Sequence, residues 1–70
     1  MSPKLATIIS DYKKMYPNQG SKVVVHLLAE AKAGRLHGAS FRAYPAFWRC
    51  AKDHGVRTGK DLAQMLKEVA

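Results

Sequence analysis

Residues 40–55 read SFRAYPAFWRCAKDHG (Ser40–Gly55), and the fold turns on where a helix starts inside them. Phe41, Tyr44, Phe47, Trp48 and Ala51 recur at helical spacing. Pro45 interrupts them. A helix begun at Phe41 would lose an interior hydrogen bond at Pro45, and the ring would clash one turn back. The pattern therefore predicts a loose turn over Phe41–Tyr44 and a regular helix from Pro45 to Gly55. Ser40 is the candidate cap of this third segment, and Val56 sits where an apolar residue closes a C-cap.

Helical periodicity continues on both sides. Leu5, Ile8, Ile9, Tyr12, Met15 and Tyr16 form one stripe, with Ser2 as a cap and Pro3 at the first helical position. Pro17, Asn18, Gln19 and Gly20 turn the chain. A second helix is expected from the cap Ser21 to the stop Gly34, with Val24, Leu27, Leu28 and Ala31 on one face. The Val23–Val25 triplet leans towards strand, but Ala29–Ala33 favours helix and no partner strand is evident. The last segment opens on Thr58 and Asp61 at capping-box spacing and carries Leu62, Met65, Leu66 and Val69 as its apolar stripe. The fold class is all-α: a small bundle of about four short helices in one domain, with a helix-turn-helix-like unit.

Twelve Lys and Arg stand against five Asp and Glu in 70 residues, a net charge of +7. Such a field draws polyanions to a small surface. The hydrophobic content of 47% speaks for a folded chain. Cys50 is alone, so no internal disulfide is available and a reducing compartment is expected. No apolar run nears the roughly 18 residues that span a bilayer, and Met1–Ser10 lacks the features of a signal peptide. These points imply a cytoplasmic protein without a membrane partner.

The charge is densest in the centre. Arg35, Arg42, Arg49, Lys52, Arg57 and Lys60 stand there with one acid, Asp53, before Asp61. Arg49 and Lys52 are three apart and share a helix face, and Arg42 extends that face if its turn is helical. Phe47 and Trp48 would anchor the opposite side. Arg takes guanine edges and Lys takes phosphates, so this layout suits double-stranded DNA. The plain alternative is a solvated basic face. Arg42, Arg49 and Lys52 are expected at the groove or its rims, and Arg35, Arg57 and Lys60 on phosphates.

Two helix-turn-helix registers compete. In one, Ser21–Gly34 supports and Ser40–Asp53 recognises, across a connector longer than usual. In the other, Pro45–His54 supports and Gly59–Ala70 recognises. Ala51, Gly55 and Val56 then fill the small, glycine and apolar positions, and Arg57, Thr58, Lys60 and Gln64 meet DNA. The stretch Leu27–His54, LLAEAKAGRLHGASFRAYPAFWRCAKDH, resembles the DNA-binding segment of small helix-turn-helix accessory proteins of plasmid conjugal transfer. Gly34, Arg35, Ser40, Phe41, Tyr44, Phe47 and Arg49 carry the likeness. Pro45 and the C-terminal helix depart from it. The resemblance implies origin-of-transfer DNA binding; a small regulator encoded by a phage or plasmid fits the sequence equally well.

Other chemistry finds little footing. Cys50 and His54 are four apart, a workable two-ligand spacing, but His26 and His37 complete no recognised metal pattern. No cofactor, small-molecule substrate or enzymatic activity is expected, because the acids show no catalytic pairing and the chain is too short to enclose a large pocket. The first-helix strip serves either a homodimer or the domain's own core. The rival function is a protein-binding module or inhibitor, phage- or plasmid-encoded, that clamps an acidic surface of a host protein.

Overall fold

Pro45 divides the central stretch as its chemistry requires. A computed structural model of the chain describes residues 4–69. Four α-helices run as α1 (Leu5–Met15), α2 (Gly20–Lys32), α3 (Pro45–Asp53) and α4 (Gly59–Val69), with a 3-10 segment, Gly38–Ala43, before α3. No strand occurs among the described residues. Pro45 is the first residue of α3, where its missing N–H is no loss. Ser40 is not the cap of α3. It lies inside the 3-10 segment, and its Oγ accepts from the His37 N–H at 3.0 Å.

α1 starts at Leu5 after an extended Lys4. The expected cap Ser2 and Pro3 lie outside the described residues. α2 starts at Gly20, one residue before the expected cap Ser21. Packing gives the reason: a Cβ at Gly20 would sit 3.1 Å from the Lys13 Cα of α1. The bare glycine lets the two helices close against each other, and Ser21 is left exposed in the first turn.

α2 and α3 end in the same backbone device. Gly34 has φ +78 and Gly55 has φ +97, the left-handed conformation that glycine adopts without a Cβ penalty. After Gly34, the Arg35 N–H donates to the Glu30 carbonyl at 2.9 Å. After Gly55, the Val56 N–H donates to the Ala51 carbonyl at 3.0 Å. Both are Schellman caps, which bring the residue after the glycine beside the one five back. At α3 that contact is apolar, with Val56 and Ala51 buried. Thr58 then opens α4, its Oγ1 accepting from the Asp61 N–H at 3.2 Å.

α1 packs on α2 and α3, α2 also packs on α4, and the 3-10 segment packs on both α3 and α4. Ile8, Leu27, Phe41, Phe47, Leu62 and Leu66 are the large side chains fully buried between them. The first-helix strip covers this core: Leu5, Ile8 and Tyr12 are buried, and Met15 and Tyr16 are left exposed. The tightest approach lies between the 3-10 segment and α4. A Cβ at Gly59 would fall 2.5 Å from the Gly38 carbonyl oxygen.

That approach predicts the sign of one substitution. Alanine at Gly59 gains up to about 1 kcal/mol of helix propensity, but overpacking costs about 1–3 kcal/mol. We expect Gly59→Ala to lower the urea midpoint with an unchanged slope, a net loss of about 1–2 kcal/mol. A midpoint at or above that of the parent would show that the two backbones are not in contact.

Candidate nucleic-acid interface

α3 is nine residues long, and its inner and outer faces differ sharply. Phe47, Cys50 and Ala51 are buried, and Arg49 and Lys52 are exposed on the opposite side. The Phe47 ring meets Tyr12 edge-on at 5.1 Å and stacks on Phe41 at 6.2 Å. It is unavailable for stacking on a base. Trp48 is half-buried against Phe41 at 6.3 Å, and the Lys52 Nζ lies 5.9 Å from its ring centroid. This cation–π contact holds the ammonium at the edge of the outer face. Tyr44, the other stacking candidate, is half-buried, its ring 6.1 Å from that of His26 on α2.

The six basic residues do not share one helix face. Arg49 and Lys52 do, on α3. Arg42 lies in the 3-10 segment, because the break at Tyr44 and Pro45 interrupts the helical register that would have aligned it with Arg49. Arg57 is exposed in the turn between buried Val56 and the cap Thr58. Lys60 is the second residue of α4. The 3-10 segment packs on both helices, so Arg42, the α3 pair and Lys60 ride on three elements that meet there.

Arg35 differs from the others. Its Nε donates to Glu30 at 2.6 Å and its Nη2 at 3.3 Å. The Schellman cap of α2 sets these two side chains together, so an ion pair takes the place of the usual apolar contact. The hydrogen bond from Arg35 is the main cause holding the Glu30 carboxyl below its usual range. Of the twelve Lys and Arg, all within the described residues, Arg35 alone reaches an Asp or Glu carboxylate within ion-pair distance.

Two clefts flank these residues. One, of about 600 Å³, lies between the end of α1 and α3, with Met15, Tyr16, Arg49 and Asp53 in its lining. The other, of about 340 Å³, lies between the 36–38 connector and α4 and includes Lys60, Gln64 and Lys67. Sequence reasoning missed Lys67, although the 60, 64, 67 spacing on one helix was there to be read.

Cys50 and His54 turn to different partners. The His54 Nε2 lies 2.6 Å from the Asp11 Oδ2, tying the end of α3 to α1. The Cys50 Sγ donates to the Ile8 carbonyl at 3.6 Å. Among the described residues no three His, Cys, Asp or Glu side chains gather as a metal site.

Neither helix-turn-helix register is reproduced in full. In the first, Ser40–Asp53 is not one helix. The second is compatible with the order of α3, the left-handed Gly55, buried Val56 and α4, but α3 and α4 are joined mainly through the 3-10 segment that packs on both. No protein-family model matches the chain, and no significant match is found among curated proteins or solved structures.

Burial pushes the Cys50 thiol above its usual range, and the carboxylates of Asp11 and Asp53 add to the shift. Thiolate is the reactive form. We expect Cys50 to resist a disulfide reagent at pH 8 in the native chain and to react fully in denaturant. Rapid native labelling would mean that the α1–α3 interface opens readily.

Proposed function

We propose that the chain is a small double-stranded-DNA-binding protein, a regulator or DNA-processing accessory factor. The α3–turn–α4 unit would bind the duplex. One observation carries the reading: a surplus of cations, almost none neutralised within the fold, on a rigid helical scaffold. Phosphates supply most of the raw affinity of such a surface. Arg49 and Lys52 project from α3 opposite its buried side, and Arg42, Arg57 and Lys60 flank them on adjoining elements. A homodimer belongs to this reading, because twofold symmetry doubles the contacts one small unit can make.

A second reading has its own support. Met15 and Tyr16 are 55% and 41% exposed, beside the cleft that holds Arg49 and Asp53. An aromatic and thioether surface next to an Arg suits a module that clamps an acidic protein surface.

A salt series separates the two. On a random duplex, log affinity should fall linearly with log salt at about −0.9 per phosphate contacted. The double reversal Arg49→Glu and Lys52→Glu should abolish the mobility shift and leave the helical circular-dichroism signal intact. No shift at micromolar protein in about 50 mM salt would end the DNA reading, since non-specific binding is already measurable there.

Arg35 gives a test of the opposite sign. Glu30→Gln removes its partner and raises the net charge by one, so binding should tighten and the salt slope should steepen. Unchanged binding would leave Arg35 a purely structural cation.

A further inference from the structure

The charges of α4 are sorted by flank. Leu62 and Leu66 are buried. Lys60 and Lys67, at i and i+7, fall on one side of that buried stripe and Asp61 and Glu68 on the other, with Gln64 between them on the outer face, its amide donating to Glu68 at 3.2 Å. The connector Leu36–Gly38 faces the basic side and closes the cleft of about 340 Å³. His37 completes the polar lining, and no carboxylate belongs to it. The Gly38–Gly59 contact fixes the distance between the two walls at one end.

We propose that this groove seats the phosphate backbone of one DNA strand, with Lys60 and Lys67 each on its own phosphate. The proposal rests on the DNA-binding reading and deepens it, because it adds Lys67 and His37 to the interface and gives Lys60 and Gln64 a common groove. Three features argue for it. Two lysines line one cleft whose own lining holds no carboxylate; Glu68, outside that lining, accepts from the Gln64 amide at 3.2 Å. Such a site gains most from an anion, since the like charges repel when it is empty. Seven residues of helix separate the lysines by about 10.5 Å along the axis. Phosphates on one strand are spaced by more than their axial rise of about 3.4 Å, because the strand winds round the duplex, so lysines this far apart suit two phosphates better than one. The cleft between α1 and α3 is larger, but Asp53 lines it and opposes a polyanion.

The test uses the full chain and a random-sequence duplex, with fluorescence anisotropy read from 50 to 200 mM salt, a range over which phosphate contacts are resolved as slope. Lys60→Gln and Lys67→Gln should each flatten the log–log slope by about 0.9, and the double variant by about 1.8. Gln64→Glu keeps both lysines but sets a carboxylate in the groove, and it should weaken binding. Lys14→Gln, on the exposed side of α1, should leave the slope unchanged. Circular dichroism checks that each variant keeps its helices. If the parent chain binds and the groove variants bind with the same slope, the groove proposal is overturned and the DNA reading stands. A double variant no flatter than either single means a shared phosphate and overturns the two-phosphate geometry. If the parent chain fails to bind duplex, the underlying reading falls first.

Discussion

Phe47 is the side chain on which the rest of the structure depends. It is fully buried, and its ring touches one aromatic on α1 and another on the 3-10 segment. A chain of this size buries only about 60% of its unfolded surface, so a few large rings must supply much of its cohesion. Removing a buried Phe side chain costs about 3–5 kcal/mol, comparable to the whole stability of many small domains. α3 is far below the 12–15 residues at which an isolated helix is even marginal in water. Its helicity therefore comes from packing, and packing also sets its orientation. Arg49 and Lys52 point outward because Phe47 points inward.

Glycine supplies the complementary constraint. Gly20 lets α2 close on α1, and Gly59 lets α4 close on the 3-10 segment. At neither place is the need conformational, for the positive-φ glycines are Gly34 and Gly55. Those two build identical backbone caps with different side chains. Val56 over Ala51 joins the core, whereas Arg35 over Glu30 makes an ion pair at the surface. The same local geometry thus seals a helix end in one place and removes a cation from the free surface in the other.

The helices were legible because their signals are local. Pro45 can stand only at the start of a helix, and Gly34 and Gly55 each end one. Val24, Leu27 and Ala31 of α2 and Leu62 and Leu66 of α4 lie inward as their spacing required, Leu28 and Met65 are half-buried, and Val69, in the last turn of α4, is left exposed. The caps misled where tertiary contact outweighed local preference. Ser21 lost its place to Gly20 because α1 presses there, and Ser40 serves the 3-10 segment because Pro45 restarts the chain beyond it. Arg42 could be aligned with Arg49 only by assuming a continuous helix. The groove beside Lys60 and Lys67 was out of reach for another reason. Its far wall is the 36–38 connector, more than twenty residues away in sequence, and nothing local says that Gly38 meets Gly59.

The acids explain why the charge of this chain faces outward. Five carboxylates are present, and three have side-chain partners within the fold. Glu30 holds Arg35, Asp11 holds His54, and Glu68 accepts from the Gln64 amide at 3.2 Å. Asp61 stands in the first turn of α4, where a negative charge offsets the positive end of the helix dipole. Asp53 lies one turn from Arg49, and Asp61 and Glu68 adjoin Lys60 and Lys67 in the sequence but fall on the other flank of α4. Local structure thus takes up most of the acidic side chains while using one basic one, Arg35, and the field of the surplus stays uncompensated. At physiological salt it is screened within about 8 Å, so it acts on what touches the surface more than on distant charges. Such a surface is best matched by a partner that brings many negative charges at once and at close range, which is how a nucleic-acid backbone presents its phosphates.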